Sequence, residues 1–502
     1  MKPIQPATIA PGSLTKDHVQ PVPVPEPEPE PITRAEAQNS LRRPRSRKLA
    51  ARLPAVMALI LPPVLYLAFV EHYSVNVLVF DDWSVEVIAA HLGPHLGKPF
   101  FQNLWLQYNE HRLVVPKLLF MVFGELTALN VKTMMMFNAV MFVATYVILL
   151  RLIRTYCGRS PGALALLLLG AVWFSLSDFE SALLSAQLSW YLILFLLLLC
   201  LLVMARERVN YWVIGGAVVI AVLASISSLQ GLILWPVGLL CLWRRRNEIL
   251  QWRRMSLLWV ICAGATTAFY FRGFNLSTSA TGGSSPTLTL DHPITALKFF
   301  FVDVGSVVPG GGAYSYLLHG LLGIGLTGLG VAVLVRSMTE VRRNGFGALT
   351  PLPAALILFG LLFDVAAMVG RVGLGEAAAR APRYTMPNLF LLVGIAIYMF
   401  MRASNTLKHR ERSTLKFMAV AGSFLFSILL FVQIAESTTY GLEQATISQR
   451  QREIALYTLQ NLPRLPTAIA EQRVSKYVYP NLAALEPLWR IVRQDHLNFF
   501  AQ

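Results

Sequence analysis

Charge is scarce in this chain. Asp, Glu, Lys and Arg together supply 14% of its 502 residues, where soluble proteins average about a quarter, so the length does not signify several water-facing domains. Cysteine is scarcer still. Cys157, Cys200, Cys241 and Cys262 contain no CxxC pair and fall within or at the ends of apolar runs, which argues against both a disulfide framework and a zinc site. The apolar runs are continuous rather than alternating, which excludes a β-barrel, and no internal repeat is visible. Acidic residues are the rarer sign, 27 against 43 Lys and Arg, for a net charge of +16. In a soluble domain that excess would point to nucleic acid. Here the basic residues sit in short clusters beside apolar runs, so membrane anchoring and orientation account for them and no nucleic-acid partner is expected.

What the chain has is hydrophobic sequence: 55% of residues, with a mean hydropathy of +0.54. Runs of about 20 apolar residues recur, the length a helix needs to cross roughly 30 Å of hydrocarbon. The fold class expected is all-α, a polytopic integral membrane protein with about eleven transmembrane helices. They centre near residues 63, 142, 169, 195, 220, 237, 263, 325, 360, 394 and 425. The fifth and sixth share one apolar stretch broken by Ser227, Ser228, Gln230 and Gly231, either a tight hairpin or a break in one long helix.

Three segments are expected. Residues 1–50 form a Pro/Glu-rich cytoplasmic tail, with PVPVPEPEPEP at 21–31 favouring extended polyproline II over helix. Residues 51–436 form the transmembrane domain, and 437–502 a small external helical segment. No cleavable signal peptide is expected, because the first apolar run begins near Pro54, after Arg42, Arg43, Arg45, Arg47 and Lys48.

Threading the spans from a cytoplasmic N-terminus makes every inside loop basic. Arg151, Arg154 and Arg159 follow the second span, Arg206 and Arg208 the fourth, and Arg244, Arg245, Arg246, Arg253 and Arg254 the sixth. Arg336, Arg342 and Arg343 follow the eighth; Arg402, Lys408, Arg410, Arg412 and Lys416 follow the tenth. The connections after the third and fifth contain no Lys or Arg. The N-terminus is therefore expected inside and the C-terminus outside, in a bacterial cytoplasmic (inner) membrane.

The polar residues left over collect outside. The first external connection carries Phe80-Asp81-Asp82-Trp83, Glu86 and Asn109-Glu110-His111-Arg112, with Trp83 to Leu92 and Val115 to Leu126 read as two interfacial amphipathic helices. Later connections add Asp178, Glu180 and Gln187, then Gln230 beside the two serines, then a Gly/Ser/Thr stretch at 276–289, and finally Gly370-Arg371, Arg380, Arg383 and Tyr384. Taken singly, each has a plain structural reading. The paired aspartates suit a turn or helix cap, 109–112 a surface ion-pair cluster, and Arg383 with Tyr384 an interface anchor. Asp303 and Asp364 stand in apolar sequence, where a functional role or an arginine partner is expected. His95 and His319 stand alone and indicate no metal site. Together, carboxylates after the first span and arginines at the outer ends of later spans suit removal of a group from a lipid phosphate.

This layout resembles the GT-C superfold of polyprenyl-phosphate-sugar-dependent glycosyltransferases, which includes protein O-mannosyltransferases and the arabinosyltransferases of bacterial envelopes. The likeness covers about residues 54–435 and rests on arrangement: a first span, a long external loop with an acidic pair, many further spans and an external C-terminal segment. It implies a lipid-linked sugar donor and a glycan, lipid or protein acceptor, with Asp81 or Asp82 as the base and Asp81 ahead. Arg371, Arg383 or Arg112 would bind the phosphate through the guanidinium fork. Direct attack would invert the anomeric carbon. Glu110, His111, Asp178 and Glu180 would orient the base or bind sugar hydroxyls, with Gln187 and Gln230 nearby. Trp83, Trp105 and Tyr384 would stack on a sugar ring. Asp81 and Asp82 also suit a divalent cation, Mg or Mn. The competing functions are a transporter or flippase for a lipid-linked or anionic solute, for which the break at 227–231 is the best sign, and an O-antigen polymerase or ligase.

Overall fold

The computed structural model describes residues 45–92, 97–157, 162–206, 208–247, 249–275, 286–310, 314–344, 351–406 and 413–501. Residues 1–44 of the expected tail, His95, Arg159, most of the Gly/Ser/Thr stretch and the basic residues Lys408, Arg410 and Arg412 lie outside the described residues. The chain divides into two units at Leu53/Pro54, and the second, residues 54–502, contains the helix bundle.

Among the described residues there is no β-strand; an isolated antiparallel bridge joins Tyr108 and His111. Among the described residues, eight helices are long and apolar enough to cross a membrane: Leu53–Tyr73, Val131–Tyr156, Ala163–Ala182, Ser185–Met204, Ser315–Ser337, Pro351–Leu374, Pro382–Arg402 and Gly422–Arg464. This fits a multi-pass, all-α membrane protein. The other three expected spans fall on the shorter apolar helices Tyr211–Ser225 and Leu229–Arg244, and on Trp252–Tyr270, whose first turn contains Arg253 and Arg254.

At 226–231 the chain makes a hairpin. The helix stops at Ser225, Ser228 is fully extended, and Trp235 Nε1 donates to Ser225 Oγ at 3.0 Å, so the two helices run back past each other. Gly231 permits the turn, because a Cβ there would collide with the Ala224 carbonyl. The bundle's interior is aromatic as well as aliphatic. Phe142 stacks on Trp173 at 5.4 Å, Trp173 meets Phe390 at 4.8 Å, and the Tyr66 and Tyr191 hydroxyls share a 3.0 Å hydrogen bond. Such packing and internal hydrogen bonding are what hold helices together where lipid removes the hydrophobic incentive.

Two ends of the bundle differ in chemistry. At one, Arg245 donates to the carbonyls of Met204 and Arg206, and Tyr156, Val209, Arg245 and Ile249 line one small cleft. The basic connections after residues 156, 204 and 244 therefore meet. At the other end gather the first long connection, the turns around 175–187 and 226–231, and the segment 371–384.

The first long connection is built from short helices: a π-helical turn Asp82–Val87, then Ile88–Leu92, Lys98–Trp105 and Val114–Thr127. Two cations cap the C-terminal carbonyls of Lys98–Trp105. Lys117 Nζ donates to Asn103 O at 2.5 Å and Leu106 O at 3.1 Å, and Arg112 Nη1 donates to Trp105 O at 2.5 Å. These are the carbonyls a helix leaves unsatisfied, and the helix dipole favours positive charge there.

The last long helix, Ser413–Asn461, has 49 residues and passes through position 437 without a break. At 1.5 Å per residue it is about 70 Å long, more than twice an apolar layer of about 30 Å, so part of it must project beyond that layer. The helices Thr467–Tyr477 and Leu482–Gln494 then return onto the first connection. Phe80 N donates to Val478 O at 2.7 Å, Asn498 Nδ2 donates to Asn76 Oδ1 and Leu129 O at 2.8 Å, and His91 meets Asp495 at 2.5 Å.

Candidate functional site

The adjacent aspartates have opposite environments. Asp82 is fully buried and its carboxylate is committed to the fold: Oδ2 accepts from Val79 N at 3.0 Å, and Oδ1 accepts from Ser185 Oγ at 2.9 Å and Ala186 N at 3.2 Å. It ties the first connection to the 185–187 turn. Burial pushes the Asp82 carboxyl up, against the opposing pull of Val79 N–H, Ser185 and the Arg452 guanidinium. Below it Glu86, also fully buried, has neither carboxyl oxygen in a hydrogen bond, and burial, then the neighbouring Asp82 charge, holds it well above the usual carboxylate range. Asp81 instead is half-buried and accepts a 2.6 Å hydrogen bond at Oδ1 from the Tyr108 phenol.

The backbone that presents Asp81 is unusual. Phe80 has φ +49° and Asn109 φ +48°, both in the left-handed region that side chains with a Cβ seldom adopt. Strain of this kind concentrates at functional sites, and here it precedes Asp81 and Glu110. Trp83 follows the aspartates into the core, wholly buried, with Nε1 donating to Leu78 O at 2.9 Å. It is closed off from any sugar ring, because the π-helical turn points it inward, so the expected stacking role for Trp83 does not hold.

Three expected arginines part company. Arg371 ends the helix Pro351–Arg371, where a cation suits the helix dipole, and meets Glu110 fork to fork, with Nη2 to Oε2 at 2.8 Å. Arg383 lies in the turn Pro382–Tyr384 and pairs with Glu180 Oε1 at 2.7 Å. Gly375, at φ +83°, lets the chain turn between them. The Arg383 guanidinium lies 5.4 Å from the centre of the Tyr384 ring, and that ring is stacked on Trp190 at 5.9 Å. Arg112, by contrast, is committed to backbone carbonyls: Nε to Tyr270 O, Nη1 to Trp105 O, Nη2 to Arg272 O, with its guanidinium over the Trp105 ring at 5.0 Å. In this arrangement it staples loops together and has no fork to offer a phosphate. Trp105 in turn packs on Phe269 at 4.6 Å.

His111 links the two halves. Its Nδ1 lies 3.0 Å from Ser228 Oγ, and Ser228 donates its own proton to Gln230 Oε1 at 2.5 Å. The single hydroxyl proton being used, Nδ1–H must donate to Ser228, which leaves the Nε2 lone pair facing Glu110 Oε2 at 3.9 Å. Burial brings the imidazole down to about 4; Arg371 adds to this while Glu110 and Asp81 oppose it. His111 is therefore neutral at physiological pH.

Asp81 acts electrostatically on both His111 and Arg383, so Asp81, Glu110, His111, Glu180, Gln230, Arg371, Arg383 and Tyr384 are brought to one end of the bundle. Asp178 and Gln187 lie beneath, each buried with one oxygen, Oδ1 and Oε1, lacking a partner. Tyr108, Ser84, Tyr479 and Arg452 are also here, and sequence reasoning passed over them, whereas the sequence already marks Ser228 beside Gln230. A tyrosine directly before Asn109-Glu110 was the available signal; Tyr479 and Arg452 lie in the C-terminal segment, where nothing in the sequence ties them to residue 81.

Asp82 has its oxygens committed, so the residues present do not fit a divalent ion bridged between Asp81 and Asp82. Among the described residues no group of three or more His, Cys, Asp or Glu is arranged to hold a metal ion. What the arrangement offers is a half-buried carboxylate, Asp81, within electrostatic reach of Arg383, with the Arg371–Glu110 pair beside the same His111. No protein-family profile, curated protein or solved structure matches this chain.

Proposed function

We propose that this protein is a membrane glycosyltransferase that moves a sugar from a polyprenyl-phosphate donor to an acceptor hydroxyl of a glycan, lipid or protein. The reaction inverts the anomeric carbon and takes place at the external face of a bacterial inner membrane, in a GT-C-like bundle with an inside N-terminus and an outside C-terminus. The observation that carries this reading is that Asp81 and Arg383 interact electrostatically, and that Asp81 and Arg371 both act on His111, at the end of the bundle opposite its basic loops.

The chemistry follows from that pairing. The acceptor oxygen forms a bond to the anomeric carbon while the bond from that carbon to the phosphate oxygen breaks. Polyprenyl phosphate departs, and the hydroxyl proton passes to Asp81. Charge grows on the phosphate as it leaves, and Arg371 and Arg383 supply fixed donors for it. Glu110 and Glu180 hold those guanidinium groups in place before the donor arrives.

The test is sugar transfer in detergent from labelled polyprenyl-phosphate mannose and polyprenyl-phosphate arabinose. Asp81→Asn is expected to lower turnover by about 10²–10⁴-fold, the range of a lost general base. Full activity in that variant would end the assignment.

A second reading, transport of a lipid-linked or anionic solute, draws on Asp303 and Asp364. Both are fully buried, and Asp303 Oδ2 and both Asp364 oxygens lack hydrogen-bond partners; carboxyls placed inside a bundle are a transporter's feature. Loss of solute flux across proteoliposomes in Asp364→Asn, with no sugar transfer by the wild type, favours it.

A further inference from the structure

Three arginines lie on the segment 371–384, and two of them are neutralised in place. Arg371 has Glu110 and Arg383 has Glu180. Arg380 forms no ion pair with a carboxylate among the described residues. Its Nη1 donates to the Ser315 hydroxyl, and its guanidinium lies over the Tyr316 ring at 4.4 Å. Both partners are neutral, so the positive charge is left uncompensated. Glu376, at the other end of the same short 3-10 run, is exposed and makes no ion pair with it.

The fold holds Arg380 in that position. Ala379 before it is fully buried among Ala296, Phe299, Val302 and Val372, and Tyr316 packs against the same cluster. Ser315 and Tyr316 open the helix Ser315–Asn344, whose apolar part Ser315–Ser337 is long enough to span a membrane. The free N–H groups and the dipole at a helix start favour an anion, which adds to the guanidinium. His319, one turn on and on the same helix face as Ser315, is buried with Nδ1 lacking a partner. Leu317, Leu318 and Leu321 are exposed, so the helix turns an apolar flank to lipid while its first residues stand at headgroup level. A lipid phosphate can therefore reach Arg380 from the bilayer side.

We infer that Arg380, with Tyr316 and the start of that helix, is the first docking point for the phosphate of a membrane lipid, holding it before it passes to Arg383 and Arg371. Arg380 and Arg383 are three residues apart, so their Cα atoms stand within about 11 Å of each other. The order follows from competition. A phosphate meeting Arg371 or Arg383 has to displace a carboxylate; at Arg380 it displaces an uncharged hydroxyl, the weaker competitor. The inference rests on the proposed function for the identity of the lipid, polyprenyl phosphate, whereas the chemistry recognised is a lipid phosphate, which a bulk phospholipid also has.

The test is binding of labelled polyprenyl phosphate to the full chain in phosphatidylcholine nanodiscs. Arg380→Gln is expected to weaken binding by about tenfold and to raise donor KM in step, with kcat at saturating donor and the melting temperature unchanged. Arg380→Lys, which keeps the charge and loses the flat stack on Tyr316, is expected to fall between. Ser315→Ala releases the guanidinium from its hydroxyl and is expected to bind at least as tightly as the wild type. Equal affinity in wild type and Arg380→Gln overturns the inference. So does a Ser315→Ala loss as large as that of Arg380→Gln, because Arg380 is then only a tie between segments. Phosphatidylglycerol at matching mole fraction identifies the source: displacement of the label from the wild type but not from Arg380→Gln assigns the site to lipid phosphates in general, and no displacement assigns it to polyprenyl phosphate. The two ideas fail separately. An active Asp81→Asn variant removes the proposed function and leaves the binding difference standing, whereas an inactive Asp81→Asn with equal binding in Arg380→Gln removes only the docking site.

Discussion

Arg371 and Glu110 join a helix end to the first long connection by two hydrogen bonds between guanidinium and carboxylate, although 261 positions separate them. Only 17% and 15% of their side chains is exposed, so solvent screens the pair weakly. A donor phosphate reaching Arg371 has to displace Glu110. Glu110→Gln is expected to tighten binding of labelled polyprenyl phosphate by about fivefold, or roughly 1 kcal/mol. Arg371→Lys is expected to weaken it by tenfold or more, because a point charge does not replace the fork. Equal affinities in wild type and both variants would remove Arg371 from the phosphate site.

The legibility of this site in the sequence had a definite limit. Charge asymmetry and apolar length were enough to bring residues 81, 110, 180, 371 and 383 to one end of the molecule, because membrane topology sorts polar residues by face. Topology says nothing about which hydrogen bonds the backbone takes first. Arg112 and Trp83 looked equal to their neighbours, yet one is committed to three carbonyls and the other to the core. The span count shows the same limit. Tyr211–Ser225 and Leu229–Arg244 are apolar but short, and hydropathy does not record where Ser228 and Gly231 turn the chain. The arginine partner expected for Asp303 and Asp364 is also missing: no ion pair to either is found among the described residues. Asn388 Nδ2 donates to the Asp303 backbone O at 2.9 Å instead.

Asp81 and Asp82 should separate by phenotype. Asp82→Ala strips an acceptor from two backbone N–H groups and the Ser185 hydroxyl, and leaving such donors unpaired costs about 1–3 kcal/mol each at most. A melting temperature several degrees lower is expected in detergent. Asp81→Asn keeps an oxygen for the Tyr108 phenol and should melt with the wild type. The reverse pattern would mean that the carboxylates have exchanged roles.

Glu86 makes a stability prediction with a definite sign. Its folded-state pKa lies above its unfolded value because burial, then Asp82, disfavours the charge. Above the unfolded value of about 4.3 the unfolded chain has lost a proton that the folded chain keeps, so stability falls as pH rises from there toward the folded pKa. Glu86→Gln keeps the shape and removes the titration. The variant should gain stability relative to the wild type between pH 5 and 8, as read by thermal melts across that window, and a constant difference over the window would contradict a protonated Glu86.

His111 acts in the opposite sense. Its folded pKa is lowered to about 4, chiefly by burial, so between about pH 4 and the unfolded value near 6.5 the unfolded chain binds a proton that the folded chain does not. The contribution is therefore fully present above about pH 6.5 and is lost as pH falls toward 4. Asn at this position can still donate from Nδ2 to Ser228 Oγ while carrying no titrating group. His111→Asn should accordingly flatten the acid side of the melting curve, leave its neutral side nearly unchanged, and preserve the Ser228–Gln230 turn. If acid sensitivity persists undiminished in that variant, the proton uptake belongs to another group.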